Sequence, residues 1–331
     1  MNGKVAILGK QQPAYMRANM KKLLEDRGHT ADILDMETRC AADWIDALKG
    51  YDALITAGEK FPGVVFDGLA GSLRVLSRYG VGTDEIDKER AAAHGIAVCN
   101  AAGTLSTAVA ECCMGLILCL LRRLPDGDKE VRANDWSRFF ESKTGTQIEG
   151  KTVGLIGFGD IAKALAKMLS GFGCRVIAYD IYFDKETADR WNVEFADIET
   201  IRRESDIISL HVPSTLETQG MIDMEFMKGM KPTAILINTG RGALIVEEDL
   251  ANALRDRVIA AAGLDVFTKE PPEPDNPLLT LPNVMLLPHC GAGTKECLEK
   301  AGYMAAENAA DFLEGKPVRT ILNKDYINHE V

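Results

Sequence analysis

The sequence lacks the long apolar segments that would place it in a membrane or on a secretory route. The longest apolar run, from Cys112 to Leu121, is about half as long as the ~20 residues needed to cross a bilayer. The N-terminal residues enter a strand-like run directly and contain no long apolar signal core. We therefore expect a cytoplasmic protein with no membrane partner.

Basic residues are also too few for a general nucleic-acid surface. The chain has 331 residues, of which 38 are Lys or Arg and 49 are Asp or Glu, so its formal net charge is −11. Proteins that bind nucleic acid or anionic membranes need a basic face, and this composition argues against both partners. An anionic small molecule stays open as a ligand, because a helix N-terminus or a single Arg can hold it locally.

The eight cysteines include no CxxC pair. Most of them fall inside apolar runs, which predicts free thiols in a reducing compartment, with neither a disulfide framework nor a bound metal. The length, in contrast, suffices for about two domains of roughly 150 residues, each with its own core.

Short apolar runs alternate with amphipathic stretches in the first third of the chain. Two of these stretches, 15–25 and 85–93, have a helical pattern. This βαβ rhythm predicts a parallel sheet with helices on both faces. The five strand candidates are Val5–Leu8, Ala31–Leu34, Ala53–Thr56, Val75–Ser77 and Ile96–Cys99.

The alternation of strand and helix patterns ends after Asn100, where a single long helix is predicted. Thr104 or Ser106 can cap this helix, which runs to about Leu124 before Pro125. It is apolar nearly all round, which predicts that it is buried either between domains or between subunits. A polar stretch follows as far as residue 150.

A second βα series begins after this polar stretch. Six parallel strands with intervening helices are the number found in the doubly wound dinucleotide-binding fold. The sequence therefore predicts an α/β protein with two doubly wound parallel sheets. The six strand candidates are Val153–Ile156, Val176–Tyr179, Ile207–Leu210, Ala234–Ile237, Ile259–Leu264 and Val284–Leu287.

The first strand of this series leads into the turn GFGDIA, residues 157–162, which opens a helix. The two glycines allow a tight turn and a close approach of the backbone to a pyrophosphate, whose charge lies at the helix N-terminus. The third position needs a small residue for helix–strand packing, and Ala162 satisfies it. Asp180, 23 residues after the first glycine, stands near the spacing at which an acidic residue holds the ribose hydroxyls, which predicts NAD as the cofactor. The predicted cofactor-binding residues of this region are Gly157, Gly159, Asp160, Ile161 and Asp180.

Charged residues follow the last three strands of the same series. Arg241 follows the fourth strand, Asp265 and Glu270 follow the fifth, and His289 follows the sixth. Ligands of an open α/β sheet bind outside the carboxyl ends of its strands, so these residues are expected to share one crevice with the glycine turn.

The residue types in this crevice suit hydride transfer to a ketone. The alkoxide that forms must be protonated, and histidine, here His289, is the residue type best suited to proton transfer near neutral pH. Glu270 can orient the imidazole and favour its protonated form. The Arg241 guanidinium can bind a substrate carboxylate through two bonds and polarise the adjacent carbonyl.

Seven segments of the chain resemble the D-2-hydroxyacid dehydrogenase family, which includes D-3-phosphoglycerate, D-glycerate/hydroxypyruvate and D-lactate dehydrogenases. The order of Arg241, Glu270 and His289 is the order found in that family. The segments, which span nearly the whole chain, are SRYGVGTDEID (77–87), HGIAVCNAAGTLSTAVAE (94–111), GKTVGLIGFGDIA (150–162), HVPSTLETQGMI (211–222), KPTAILINTGRGALI (231–245), GLDVFTKEPPEPDNPLL (263–279) and NVMLLPHCGAGT (283–294).

The resemblance implies two domains, one that binds the substrate and one that binds the cofactor. A flavodoxin-like substrate domain would comprise residues 1–104 completed by 293–331, and a Rossmann NAD-binding domain would comprise residues 105–292. Family members dimerise around the long helix near Thr104, which together with the segment 136–140 implies a homodimer.

The resemblance also implies a role for each site residue. The catalytic set would be Arg241, Glu270 and His289, with His289 as the acid/base. Asp265 would contact the nicotinamide carboxamide. Further cofactor contacts would come from His211, Val212, Pro213, Thr218, Thr239, Gly240, Arg241, His289 and Gly291. Substrate contacts would come from Arg78, Gly80, Val81 and Arg241.

Three readings of the function follow. A small 2-keto acid such as hydroxypyruvate or glyoxylate is favoured slightly over 3-phosphohydroxypyruvate, because Thr56 and Ala57, followed by Glu59, stand where many members carry an Arg-Ser pair. A D-3-phosphoglycerate dehydrogenase of serine synthesis stays open, since Arg78 could serve a phosphate together with a residue of a partner subunit. A non-catalytic, NADH-sensing corepressor also stays open, because such proteins share the fold and the catalytic set.

Overall fold

A computed structural model describes residues 2–10, 12–36, 40–135 and 144–329. The chain divides into two compact units. The first unit comprises Met1–Leu105 with Thr294–Val331, and the second comprises Ser106–Gly293. Both are α/β units built on sheets whose strands are all parallel.

The first unit contains a five-stranded sheet in the order β2-β1-β3-β4-β5, which is the flavodoxin-like order. Its strands carry apolar side chains on both faces, as expected for a parallel sheet covered by helices on both sides. The strands are β1 (Lys4–Ile7), β2 (Thr30–Ile33), β3 (Ala53–Thr56), β4 (Val75–Arg78) and β5 (Ala97–Cys99). The helices are α1 (Ala14–Asp26), α2 (Ala41–Leu48), α3 (Gly63–Leu69), α4 (Lys88–Ala93) and, from the C-terminal part of the chain, α12 (Lys295–Leu313).

The C-terminal helix α12 belongs to the core of the first unit. Thr294 caps its N-terminus by accepting a hydrogen bond from the Cys297 backbone N–H at 3.2 Å. A face rich in buried alanine allows the helix to pack closely on α1, β3 and β4. A 3₁₀ helix, Lys324–His329, follows it and contacts α4.

The second unit contains a seven-stranded sheet in the order β12-β11-β10-β9-β6-β7-β8. In chain order, the first six strands, β6 to β11, follow the Rossmann order, and β12 is an added edge strand beside β11. The strands are β6 (Thr152–Ile156), β7 (Arg175–Tyr179), β8 (Val193–Phe195), β9 (Ile207–Leu210), β10 (Ile235–Asn238), β11 (Ala261–Leu264) and β12 (Val284–Leu286). The helices are α5 (Ser106–Arg122), α6 (Leu124–Arg132), α7 (Asp160–Leu169), α8 (Lys185–Arg190), α9 (Ile198–Glu204), α10 (Met224–Lys228) and α11 (Glu247–Arg255), with 3₁₀ helices at Gly242–Leu244 and Pro277–Thr280.

The predicted fold class is confirmed, but the prediction of six strands in the second series is wrong. The strand missing from the prediction, β8, pairs only with β7 and lies at the sheet edge. Val193 is buried, whereas Glu194 and Phe195 are exposed. Three residues with one buried side chain give too short an apolar pattern to predict a strand.

The predicted long helix is α5, and a second helix, α6, follows it in the stretch predicted only as polar. Helix α5 ends at Arg122, and Arg123 adopts a left-handed conformation with φ of 52°. Pro125 lies in the first turn of α6, where its missing N–H costs no hydrogen bond, so it begins a helix here instead of following one. The buried face of α5 packs against α7, β10 and β11 of its own unit. The segment 136–140, which the prediction of a dimer includes, lies outside the described residues.

Candidate active site

The glycine turn of the second unit joins the end of β6 to the start of α7. Gly157 has a φ of +97°, and a Cβ there would lie 2.7 Å from the backbone carbon of His211 and 2.8 Å from the backbone nitrogen of Val212. Only glycine fits this position. A Cβ at Gly159 would meet no heavy atom within 4 Å, so the backbone there faces open space beside the N-terminus of α7.

The residues after the glycines lie as a dinucleotide turn requires. Ala162 is fully buried, which satisfies the need for a small residue between helix and strand. Asp160 is exposed at the first position of α7, and Ile161 is half-buried beside it. The Asp160 side chain is therefore in solvent, and its charge lies favourably at the positive end of the helix.

Asp180 follows β7 and faces the glycine turn. Its Oδ2 accepts a hydrogen bond from the Phe158 backbone N–H at 2.6 Å, and its Oδ1 accepts one from the Tyr182 N–H at 2.8 Å. The spacing in the sequence predicts the carboxylate at this strand end but not these bonds. Asp180 thus also holds the shape of the turn, in addition to any ribose that it binds.

The next strand end carries His211 and a loop that contains Thr218. His211 is half-exposed as a whole, but its Nε2 is buried and has no hydrogen-bond partner among the described residues. Burial lowers the pKa of His211 to about 4, so its ring is neutral near pH 7. Val212 is half-buried and Pro213 exposed. The Thr218 hydroxyl donates to the Pro213 carbonyl at 2.6 Å and accepts from the Thr215 N–H at 2.8 Å, which fixes the loop.

These strand ends fit a dinucleotide. The open backbone at Gly159 and the N-terminus of α7 suit a pyrophosphate. The unsatisfied Nε2 of His211 is a buried polar atom that a bound ligand can satisfy. Asp180 supplies a carboxylate at the ribose position.

His289 and Glu270 form a pair at the ends of β12 and β11. The His289 Nδ1 lies 2.7 Å from the Glu270 Oε2, and the other carboxylate oxygen accepts a hydrogen bond from the Phe267 N–H at 3.0 Å. The His289 side chain is 53% exposed. Its backbone has a φ of +53°, an uncommon value for a residue with a side chain.

Asp265 holds the loop that carries His289. Its side chain is buried, and its two carboxylate oxygens accept hydrogen bonds from the backbone N–H groups of Cys290 at 2.8 Å and Gly291 at 2.7 Å. Its carbonyl accepts from the His289 N–H at 2.8 Å. A Cβ at Gly291 would lie 2.9 Å from the Asp265 Oδ2, which explains a glycine there. The family resemblance implies that Asp265 contacts the cofactor, but the sequence does not predict these hydrogen bonds to the loop.

Arg241 lies in a turn that a buried asparagine organises. The Asn238 side chain donates to the Arg241 carbonyl at 2.8 Å and accepts from the Gly240 N–H at 3.0 Å. A Cβ at Gly242 would lie 2.0 Å from the Phe267 carbonyl carbon, so the Arg241 turn packs directly on the loop that leads to Glu270. Thr239, the remaining residue of the turn, is buried and contacts the Cys113 thiol at 3.0 Å.

The predicted substrate residues of the first unit lie at the end of β4, which Arg78 terminates, and in the loop that follows it. Gly80 has a φ of +140°, and Val81 is exposed. The Arg78 guanidinium forms an ion pair with Glu85 at 2.7 Å and donates to the carbonyls of Tyr79 and Gly82. Arg78 therefore stabilises the loop that contains Gly80 and Gly82 through its own hydrogen bonds, and the Glu85 carboxylate balances its charge.

Comparison with known proteins identifies the family. The model of the D-isomer specific 2-hydroxyacid dehydrogenase NAD-binding domain matches residues 114–291. The chain is 40% identical over 285 residues to a glyoxylate reductase of Thermofilum pendens, and the match covers 85% of this chain and 84% of that protein. The chain therefore belongs to the D-isomer specific 2-hydroxyacid dehydrogenase family. The family resemblance seen in the sequence is confirmed, and the protein is an oxidoreductase with an NAD-binding domain.

The chain is also similar to two further proteins. A D-3-phosphoglycerate dehydrogenase of Methanocaldococcus jannaschii is 40% identical over 288 residues, which are 86% of this chain but only 54% of that protein. A crystal structure of a Thermus thermophilus protein superposes with a TM-score of 0.85 at 31% identity, over 96% of this chain and 99% of that one. The fold of the two units is thus shared along their whole length.

The described residues contain neither a metal-binding cluster nor a membrane-spanning helix. Within these residues, no group of three or more His, Cys, Asp and Glu side chains is arranged to hold a metal ion. No helix in the same part of the chain is both long and apolar enough to span a membrane.

Proposed function

We propose that this D-2-hydroxyacid dehydrogenase interconverts a small 2-keto acid and its D-2-hydroxy acid, with His289 as the general acid/base. The observation that carries the proposal is the 2.7 Å contact between the His289 Nδ1 and the Glu270 carboxylate at the strand ends. That contact leaves the Nε2 of a half-exposed ring to exchange a proton with substrate. Bound NAD supplies or accepts the hydride.

Glu270 acts on the ring of His289 in two ways. Its carboxylate is fixed by the Phe267 N–H, so it fixes the ring that donates to it. Its carboxylate can pair with the imidazolium, which is the form that protonates the alkoxide during keto-acid reduction. In the reverse direction the neutral ring accepts the hydroxyl proton.

We assign the substrate carboxylate to Arg241 and to the backbone of Gly80 and Val81. A guanidinium in a fixed turn can hold a carboxylate through two parallel bonds and polarise the neighbouring carbonyl. The turn that Asn238 organises and the tight packing at Gly242 support this role, because they restrict where the Arg241 side chain begins.

We assign the cofactor to the strand ends of the second unit. Gly157, Gly159, Asp160 and Ile161 would receive the pyrophosphate, and Asp180 would bind the ribose hydroxyls. A 2′-phosphate would meet the Asp180 charge, so NAD(H) should be preferred over NADP(H). Further contacts are proposed from His211, Val212, Pro213, Thr218, Thr239, Gly240, Asp265, His289 and Gly291.

The preferred substrate is proposed to be hydroxypyruvate or glyoxylate in preference to 3-phosphohydroxypyruvate. A phosphate usually recruits two or more Arg or Lys donors, and Arg78 is already paired with Glu85. The direct test measures kcat/KM for the three keto acids with NADH and with NADPH. A value for 3-phosphohydroxypyruvate tenfold above that for hydroxypyruvate, lost in Arg78→Ala, would instead make the protein a D-3-phosphoglycerate dehydrogenase. Failure to oxidise NADH with any 2-keto acid would favour a sensor without catalysis.

We also propose a cytoplasmic homodimer. The described residues contain no disulfide between cysteines, which suits a reducing compartment. Leu124 and Val131 are exposed beside α5, and a dimer would cover such apolar surface. Light scattering should give about twice the 36.1 kDa of one chain, whereas a mass near one chain would refute the dimer. Cell fractionation tests the compartment.

A further inference from the structure

The first unit has its own ligand position, as judged from its strand order. In the order β2-β1-β3-β4-β5 the order of the parallel strands reverses between β1 and β3, and open α/β sheets bind ligands outside the carboxyl ends of the strands at such a point. Gly9 follows β1 there, and Thr56, Ala57 and Gly58 end or follow β3. These residues therefore occupy the position where a ligand of this unit is expected.

Hydrogen-bond donors from both loops converge at this point on the carboxylate of Glu59. The Glu59 Oε1 accepts from the Gly9 N–H at 2.9 Å. Its Oε2 accepts from the Thr56 hydroxyl at 2.6 Å, the Ala57 N–H at 2.8 Å and the Gly58 N–H at 3.1 Å. Successive backbone N–H groups that point to one centre form an anion-binding concavity. Here the anion belongs to the chain itself.

The anion site is compact, and Glu59 is charged in it. A Cβ on Gly9, which has a φ of +88°, would lie 2.8 Å from the Ala57 Cβ, so the two loops touch and their donors enclose one small anion. Burial opposes the charge of Glu59, but the bonds from Thr56 and from the backbone more than offset it and lower its pKa. The carboxylate is therefore ionised near neutral pH.

We infer that Glu59 is a specificity-determining residue, whose carboxylate fills the anion site between β1 and β3 and thereby selects 2-keto acids with an uncharged tail. A substrate phosphate at this site would have to displace a carboxylate held by four hydrogen bonds and then face its charge. An uncharged hydroxymethyl group or a hydrogen atom meets no such opposition. This inference rests on the proposed reduction of 2-keto acids and names the feature that sets the substrate class.

Removal of the Glu59 carboxylate should open the site to phosphate. We expect Glu59→Ala to raise the ratio of kcat/KM for 3-phosphohydroxypyruvate to that for hydroxypyruvate by about tenfold or more. Inorganic phosphate should become a competitive inhibitor against hydroxypyruvate and should raise the melting temperature of the variant. Glu59→Gln, which removes the charge but keeps the volume, should change the ratio in the same direction by less, and it carries the test if Glu59→Ala does not fold.

Asp52→Ala is a matched control. The Asp52 carboxylate also accepts a backbone hydrogen bond in this sheet, from the Lys4 N–H at 2.7 Å, but at the amino ends of β1 and β3. Its removal should leave the substrate ratio and the response to phosphate unchanged. An equal change in Asp52→Ala would mean that loosening of the sheet, and not the anion site, alters specificity, and would overturn the inference.

The outcomes separate this inference from the proposed function. If the wild type and Glu59→Ala both reduce hydroxypyruvate, but the ratio and the phosphate response do not change, the role of Glu59 is refuted and the proposed function stands. If the wild type reduces no 2-keto acid, the proposed function fails, and phosphate-dependent stabilisation of Glu59→Ala still decides whether the anion site exists. A wild-type enzyme that already prefers 3-phosphohydroxypyruvate also refutes the inference.

Discussion

Each unit of the protein contains a histidine ring in contact with a carboxylate, and the two contacts have nearly the same length. In the first unit the His94 Nε2 lies 2.8 Å from the Asp67 Oδ1. In the second unit the His289 Nδ1 lies 2.7 Å from the Glu270 Oε2. Distance alone does not distinguish a catalytic pair from an ordinary surface pair, so the difference must come from the surroundings.

The surroundings of the two carboxylates differ in charge. Asp67 also accepts two hydrogen bonds from the Arg90 guanidinium, at 2.6 and 3.1 Å, so a permanent cation already balances it. The second oxygen of Glu270 accepts from the Phe267 N–H, which is a neutral donor. The charge of Glu270 therefore acts mainly on its histidine, whereas the charge of Asp67 is shared with an arginine.

The positions of the two histidines in their sheets differ as well. His94 follows helix α4 and is 26% exposed. His289 follows strand β12, is 53% exposed, and shares the carboxyl end of its sheet with Arg241. A histidine–carboxylate contact is therefore a candidate site when it lies at the strand ends, beside a group that can bind substrate.

The largest effect is expected when each of the two histidines is replaced by asparagine. We expect His289→Asn to lower kcat for keto-acid reduction about 10²-fold or more, because a general acid/base is lost. Binding of NADH, measured by fluorescence, should be retained. His94→Asn should leave kcat unchanged. A comparable fall in both variants would mean that the measurement reports stability, and an unchanged kcat in His289→Asn would refute the acid/base role.

Arg241 provides the next largest expected effect. An ammonium group cannot reproduce a two-point grip on a carboxylate, so Arg241→Lys should raise the KM for the keto acid by about ten- to a hundredfold. The change in kcat should be smaller. Steady-state kinetics at saturating NADH measures both parameters. A KM that does not change would remove Arg241 from the substrate site.

A smaller effect is expected from the carboxylates. Glu270→Gln keeps a side chain that can contact His289 but lacks the charge, and we expect kcat to fall about tenfold, or ~1.4 kcal/mol, as for a hydrogen bond to a charged group. Asp67→Asn is the matched variant in the first unit and should not alter kcat. Equal kcat values in wild type and Glu270→Gln would show that the pair has no part in catalysis.

The sequence predicts the elements of the site better than their mutual contacts. Strand ends followed by Arg241, Glu270 and His289 are visible because apolar runs and the charged residues after them are local features. The hydrogen bonds that Asp265 accepts from Cys290 and Gly291 cannot be predicted from the sequence, since they depend on the loop conformation that gives His289 a positive φ.

Contacts between distant segments escape the sequence for the same reason. Glu59 is predicted only as an acidic residue at an unusual place, whereas its partner Gly9 lies 50 residues away and is brought to it by the pairing of β1 with β3. Strand β8 is missed because one buried side chain, Val193, carries its whole pattern. Hydrophobic periodicity predicts elements that bury one face, and it gives no signal for a short edge strand.

The smallest expected effect concerns the stability that the Asp67 pair provides. Hydrogen bonds from Arg90 and then from His94 lower the pKa of Asp67 below its ordinary value of 3.8. A carboxyl group whose pKa is lower in the folded than in the unfolded state stabilises the fold above the unfolded pKa, and this contribution is lost as the pH falls through the folded value. Because the pair is exposed, the contribution is small and screened by salt.

We expect the melting temperature of Asp67→Asn to lie about 3 °C or less below that of the wild type at pH 7 in low salt. Calorimetry at 1 M salt, and at pH values below the lowered pKa that Asp67 has in the folded state, should bring the two melting temperatures together. A gap that persists under both conditions would mean that Asp67 acts through packing instead of charge, and the contrast with Glu270 would then rest on position in the sheet alone.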